Sequence, residues 1–175
     1  MGDTGLADLA ELDHAAAPAA AALLRPCCAS TRWAQLLVAG RPYGSLGRLQ
    51  SASDAAFAGL GWPDLREALA AHPRIGDRAA GPGRESAWSR QEQAAAGATV
   101  AAPGGAVVAD ALRAGNEAYE EQFGHVFLIC AAGRPAEQIL AALRGRLGHS
   151  PEAEQEVVRE ELRQIARLRL AKTFR

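Results

Sequence analysis

The sequence predicts an all-α fold, a single-domain multi-helix bundle, and three observations carry that reading. Apolar residues recur at helical spacing, most clearly Val108, Leu112, Tyr119 and Phe123. Serine stands where helices should start, and glycine or proline stands where they should stop. Only one run, Val126 to Ala131, is apolar throughout and too short for a typical helix, so a sheet lacks the strands to form. At 175 residues the chain is long enough for one domain with a sizeable core, and one domain over 1–175 is expected.

Taken in order, an alanine-rich segment from Asp13 to Leu24 is read as the first helix, stopping near Pro26. Ser30 can cap a helix carrying Trp33, Leu36 and Leu37, with Gly40 as its terminator. Arg41-Pro42-Tyr43-Gly44 is a turn, and Ser45 to Leu60 places Leu46, Leu49, Phe57 and Leu60 at roughly helical spacing. Pro63 suits the first turn of a short helix with Leu65 and Leu69. That helix ends at His72-Pro73, because proline disfavours helical geometry in the residue before it.

Residues 79–87 read as a loop around Gly81-Pro82-Gly83, and a brief helix runs from Ser89 to Gly97. Pro103 to Phe123 is the clearest amphipathic helix, stopped by Gly124. The run Val126 to Ala131 is either a buried extended segment or the start of the next helix. Arg134-Pro135 opens a helix through Ile139, Leu140, Leu143 and Leu147 to Gly148, and Ser150-Pro151 opens the last and longest one.

The formal net charge is −1, with the 19 Lys and Arg spread along the chain, which argues against a nucleic-acid partner. Apolar stretches are interrupted well short of a membrane span, so no membrane partner is expected. The acidic start, with Asp3, Asp8 and Glu11, does not read as a signal peptide. Cys27 and Cys28 are adjacent and Cys130 is distant, which offers neither a disulfide framework nor zinc spacing. A reducing, cytoplasmic compartment and no metal are the expectation.

Four features could carry chemistry, and each has a plainer alternative. His72, held at a break by Pro73, can be an aimed acid/base group or a helix-end side chain. Ser89-x-x-Glu92 matches a capping box, which explains both residues without a substrate but leaves Gln93 unexplained. Asn116 lies on the stripe of Leu112 and Tyr119, where a structural bridge between helices is the favoured reading. In the last helix Val158, Leu162 and Ile165 define an apolar stripe whose next position is Arg169. A buried arginine needs an anion, either a protein carboxylate such as Glu92 or a substrate. Arg163 and Arg167 fall off that stripe and read as solvated charges, and Cys130 reads as an inert core thiol.

The ordered set of motifs resembles the 2-oxo-4-hydroxy-4-carboxy-5-ureidoimidazoline (OHCU) decarboxylase family of urate degradation. The resemblance runs from Trp33 and Arg41-Pro42-Tyr43 through His72-Pro73-Arg74-Ile75-Gly76 to Ser89-x-x-Glu92-Gln93-x-x-Ala96-Gly97. It continues in Asn116-x-x-Tyr119-x-x-x-Phe123-Gly124, Phe127-x-Ile129-Cys130-Ala131-x-Gly133-Arg134, Arg146-Leu147 and Ile165-x-x-Leu168-Arg169-Leu170. Each piece is weak alone; their order and spacing make the set specific.

The resemblance implies an all-helical homodimer that converts a small-molecule substrate, OHCU, to S-allantoin without metal or organic cofactor. It implies His72 as catalytic acid/base, with Glu92 and Arg169 also catalytic. Pro73, Ser89 and Gln93 become substrate contacts, and Phe127, Leu128, Ile129, Cys130 and Ala131 become the stretch lining the ligand pocket. His149 departs from the family, which commonly has Asn there, and this is expected to touch helix termination more than activity. Two other readings stay open: a family member acting on another ureido or imidazoline acid, and a non-catalytic helical binding module.

Overall fold

The computed structural model describes residues 7–75, 88, 91–92 and 105–175. Among them are eight helices: α1 Leu9–His14, α2 Ala17–Leu24, α3 Thr31–Ala39, α4 Leu46–Ala58, α5 Trp62–Leu69, α6 Gly105–Phe123, α7 Ala136–Arg146 and α8 Pro151–Thr173. No strand occurs among the described residues, and the single β-bridge joins Ala7 to Phe174. The all-α expectation holds. None of these helices is long and apolar enough to cross a membrane.

The chain divides into two compact units, one of residues 1–68 with 162–175 and one of residues 69–161. In the first, α1 to α4 pack successively. Ser30 caps α3 as expected and Ser45 caps α4, accepting hydrogen bonds from the N–H groups of Trp33 and Arg48 respectively. Trp33 is fully buried, packs against Phe57 with the rings tilted and their centroids 6.2 Å apart, and donates its indole N–H to Ser53.

The turn after α3 is an anchoring corner. Arg41 donates to the carbonyls of Leu12 and Ala15 at the end of α1, both at 2.7 Å, and to Val38 in the last turn of α3. These are helix-end carbonyls that have no intrahelical partner. Asp13 returns the favour by accepting from the backbone N–H groups of Tyr43 and Gly44 at 2.9 Å. Gly44 has φ +65°, a conformation side chains disfavour.

Two expectations in this unit need correction. The helix expected from Asp13 to Leu24 is two helices, α1 and α2, with Ala15 and Ala16 extended between them. Pro18 explains the break: without an N–H, it belongs in a helix's first turn and starts α2 rather than continuing α1. Arg163 and Arg167 are not simply solvated, because both pair with Asp54 of α4, at 3.0 and 2.8 Å. The stripe itself is as read: Val158, Leu162, Ile165 and Arg169 are all buried.

The second unit is built around Leu112 and Tyr119 of α6, Ile139, Leu140 and Leu143 of α7, and Phe127, Ile129 and Ala131 of the segment between them. At Gly115 a Cβ would lie 2.5 Å from Leu143 Cδ2, so glycine there permits the close approach of α6 and α7. Gly124, at φ +72°, ends α6, and the apolar run that follows is buried backbone without regular structure rather than the start of α7.

Candidate active site

His72 follows α5 by three residues, and its backbone N–H bonds the Leu69 carbonyl at 2.9 Å. The residue is only 9% exposed. Beyond Pro73, the chain is held against α6 at two points. Arg74 forms a two-pronged pair with Glu120, both contacts at 2.6 Å. Asn116, one turn earlier on α6, donates its amide to the Ile75 carbonyl at 3.0 Å. The inward-facing asparagine thus makes a structural contact, to the non-helical segment that carries His72 rather than between helices as expected.

Glu92 is buried to the same degree, 9% exposed, in helical backbone. Trp88 is also in helical backbone. Ser89 and Gln93 themselves lie outside the described residues.

The segment Phe127 to Ala131 is buried along its whole length. Long polar side chains fix its backbone: Arg146 donates to the Leu128 carbonyl at 2.7 Å, and Glu161 accepts from the Cys130 N–H at 2.7 Å. Burial pushes the Cys130 thiol up from its ordinary value, with the charges of Glu161 and Glu92 adding to the effect. A buried protonated thiol matches the inert cysteine expected.

Arg146 belongs to a buried network that the sequence reading missed. It pairs with Glu154, which is fully buried, and its guanidinium lies 4.6 Å from the centre of the Phe127 ring. Tyr119 donates its hydroxyl to the same carboxylate, and burial together with that bond raises the phenol well above its usual range. His149 reaches the other Glu154 oxygen at 2.8 Å, so it does more than end a helix. The signal was available: Glu154 lies four residues before Val158, on the same stripe whose other end revealed Arg169.

His72, Glu92 and the Phe127–Ala131 segment all belong to the unit of residues 69–161. Arg169 belongs to the other. It is completely buried, with Nη1 3.5 Å from the Pro26 carbonyl. No three His, Cys, Asp or Glu side chains cluster as a metal site among the described residues.

Comparison with known proteins gives these residues a context. A sequence model described as OHCU decarboxylase matches residues 13–171. The uric acid degradation bifunctional protein TTL of Arabidopsis thaliana is 34% identical over 151 residues, 85% of this chain and 45% of that protein. The chain thus spans less than half of that relative's length. A 2-oxo-4-hydroxy-4-carboxy-5-ureidoimidazoline decarboxylase of Amia calva is 32% identical over 145 residues, 83% of this chain and 78% of the relative. A crystal structure of OHCU decarboxylase in the presence of (S)-allantoin superposes with a TM-score of 0.71 at 29% identity, covering 85% of this chain and 94% of that one. An (S)-allantoin synthase structure, at 21% identity and a TM-score of 0.67, covers 96% of this chain and 54% of that one and shares the fold alone. The shared architecture is all-helical. The chain belongs to the OHCU decarboxylase family.

Proposed function

We infer that this chain decarboxylates 2-oxo-4-hydroxy-4-carboxy-5-ureidoimidazoline to (S)-allantoin in urate degradation. The family match over residues 13–171 supports OHCU as the substrate. The observation that supports a site in this chain is the burial of three ionisable side chains at the family's motif positions: His72, Glu92 and Arg169. Burying such groups is unfavourable unless something compensates, and substrate contact is one reason to retain them.

The chemistry asks for little more. The bond from C4 to its carboxylate breaks, CO2 leaves, and the electron pair stays on the ring carbon. The conjugated carbonyl and imine of the ring delocalise that pair, so the substrate serves as its own electron sink. A proton must then be delivered to one face of the neighbouring ureido-bearing carbon, C5, while the 4-hydroxyl gives up its own proton and becomes the carbonyl, which is what makes the product a single enantiomer. His72 handles that proton, Glu92 orients the ring or tunes the imidazole, and Arg169 pairs with the oxygen that gains charge in the transition state. Pro73, Ser89 and Gln93 contact the substrate, the last two at its urea-like edges, and the backbone from Phe127 to Ala131 lines the pocket. The working form is a single 1–175 domain paired as a homodimer in the cytoplasm.

The test is direct. Freshly generated OHCU should lose CO2 faster with the protein present and yield optically active allantoin, followed by circular dichroism. His72→Ala should abolish the acceleration; a folded His72→Ala protein with full activity sinks the assignment. Sedimentation at micromolar concentration checks the dimer.

A further inference from the structure

The segment that carries His72 is held from both sides, and one of the anchors lies outside every residue assigned above. On the N-terminal side the His72 N–H is bonded to the Leu69 carbonyl at the end of α5. On the C-terminal side the ring of Pro73 fixes its own φ. Arg74 and Ile75 follow immediately, gripped by Glu120 and Asn116. These two α6 residues are four apart and so share one face of the helix. α6 is itself fastened through the buried Leu112 and Tyr119 to the core of its unit.

We propose that Glu120 is a positioning residue for the reaction, which with Asn116 clamps Arg74 and Ile75 to α6 and thereby sets where the His72 imidazole stands. The proposal rests on the reading of His72 as the acid/base group. Its physical basis is a mismatch between geometry and energy. The Arg74 side chain is 44% exposed and that of Glu120 23%, so the pair is worth little to global stability. Yet it is a planar two-pronged contact, which fixes orientation as well as distance. A device that orients strongly and stabilises weakly, two residues from a proposed catalytic histidine, belongs to placement.

The clamp is tested with Glu120→Gln, which keeps the side chain's shape but removes its charge, and with Arg74→Lys, which keeps the charge but loses the planar fork. Both should lower kcat about tenfold with KM within about twofold, because proton transfer tolerates little misplacement. Thermal midpoints should move by no more than about 2 °C, as expected for an exposed pair. Wild-type kcat in Glu120→Gln, or a loss of activity matched by an equal loss of folded protein, overturns the proposal. His72→Ala run alongside separates the two levels. If it is inactive while Glu120→Gln is unchanged, the clamp alone fails; if it is fully active, the reading of His72 fails and the clamp with it.

Discussion

Arg41 and Arg146 are withdrawn from water to different depths, one in each compact unit, and the chain compensates them in opposite ways. Arg41 is half-buried and spends its donors on three backbone carbonyls, of Leu12, Ala15 and Val38. Arg146 is 5% exposed and faces the fully buried carboxylate of Glu154, with the Leu128 carbonyl as a further acceptor. The first arrangement uses one positive charge to finish helix ends, where the negative end of the peptide dipoles favours it. The second cancels two charges in the interior, where each alone would be strongly destabilising. One is a cap that water could partly replace; the other is a pair whose members cannot be removed singly.

The comparison predicts a graded response. Arg146→Met leaves Glu154 buried without its main counter-charge and should destabilise the protein by about 3–5 kcal/mol in chemical denaturation. Replacing both, as Arg146→Met with Glu154→Leu, should recover a large part of that loss; a double variant no better than the single one would break the distinction. Arg41→Met leaves only carbonyl groups that solvent can reach, and a smaller loss of about 1–3 kcal/mol is expected from the same measurement.

A still smaller effect is expected from Glu67, whose carboxylate accepts from the Thr31 hydroxyl and backbone N–H at the start of α3. The Thr31 hydroxyl first, and the N–H second, hold its pKa below the ordinary value of 4.5. A depressed carboxylate contributes stability that is present above the unfolded-state value and is lost as the pH falls through the lower folded value. Glu67→Gln should therefore flatten the acid side of the stability profile below that ordinary value. The group is exposed and screened, so the change should be under about 1 kcal/mol. Last, the Cys130 thiol, raised by burial, should react with a thiol reagent only after denaturant opens the fold.

The same two regions show what was legible beforehand. Helix starts and stops were readable wherever one residue decides them locally, as at Ser30, Ser45, Gly124 and Ser150. The break between α1 and α2 was missed because an alanine run has no stripe to interrupt, and Pro18 was the only mark of it. Burial of Arg169 followed from periodicity, since one face of a helix is a one-dimensional pattern. The partners of Arg146 did not, although the stripe pointed at Glu154. Which arginine meets which carboxylate depends on contacts between α7 and α8, and no periodicity encodes them. For the same reason His72 and Glu92 could be singled out by local oddity, while the grip of Glu120 on Arg74, 46 residues away, could not.

The small bridge between Ala7 and Phe174 has a kinetic meaning as well. Ala7 donates to the Thr173 carbonyl at 2.7 Å, and the Arg175 N–H returns to Ala7. Phe174 is buried and Thr173 bonds the Cys27 thiol, so this edge is stitched into its unit rather than laid upon it. The amides of Ala7 and Arg175 are then expected to lose their protection together, despite lying far apart in the sequence. Hydrogen exchange should report them as one cooperative patch, and trimming Phe174 and Arg175 should quicken exchange at Ala7.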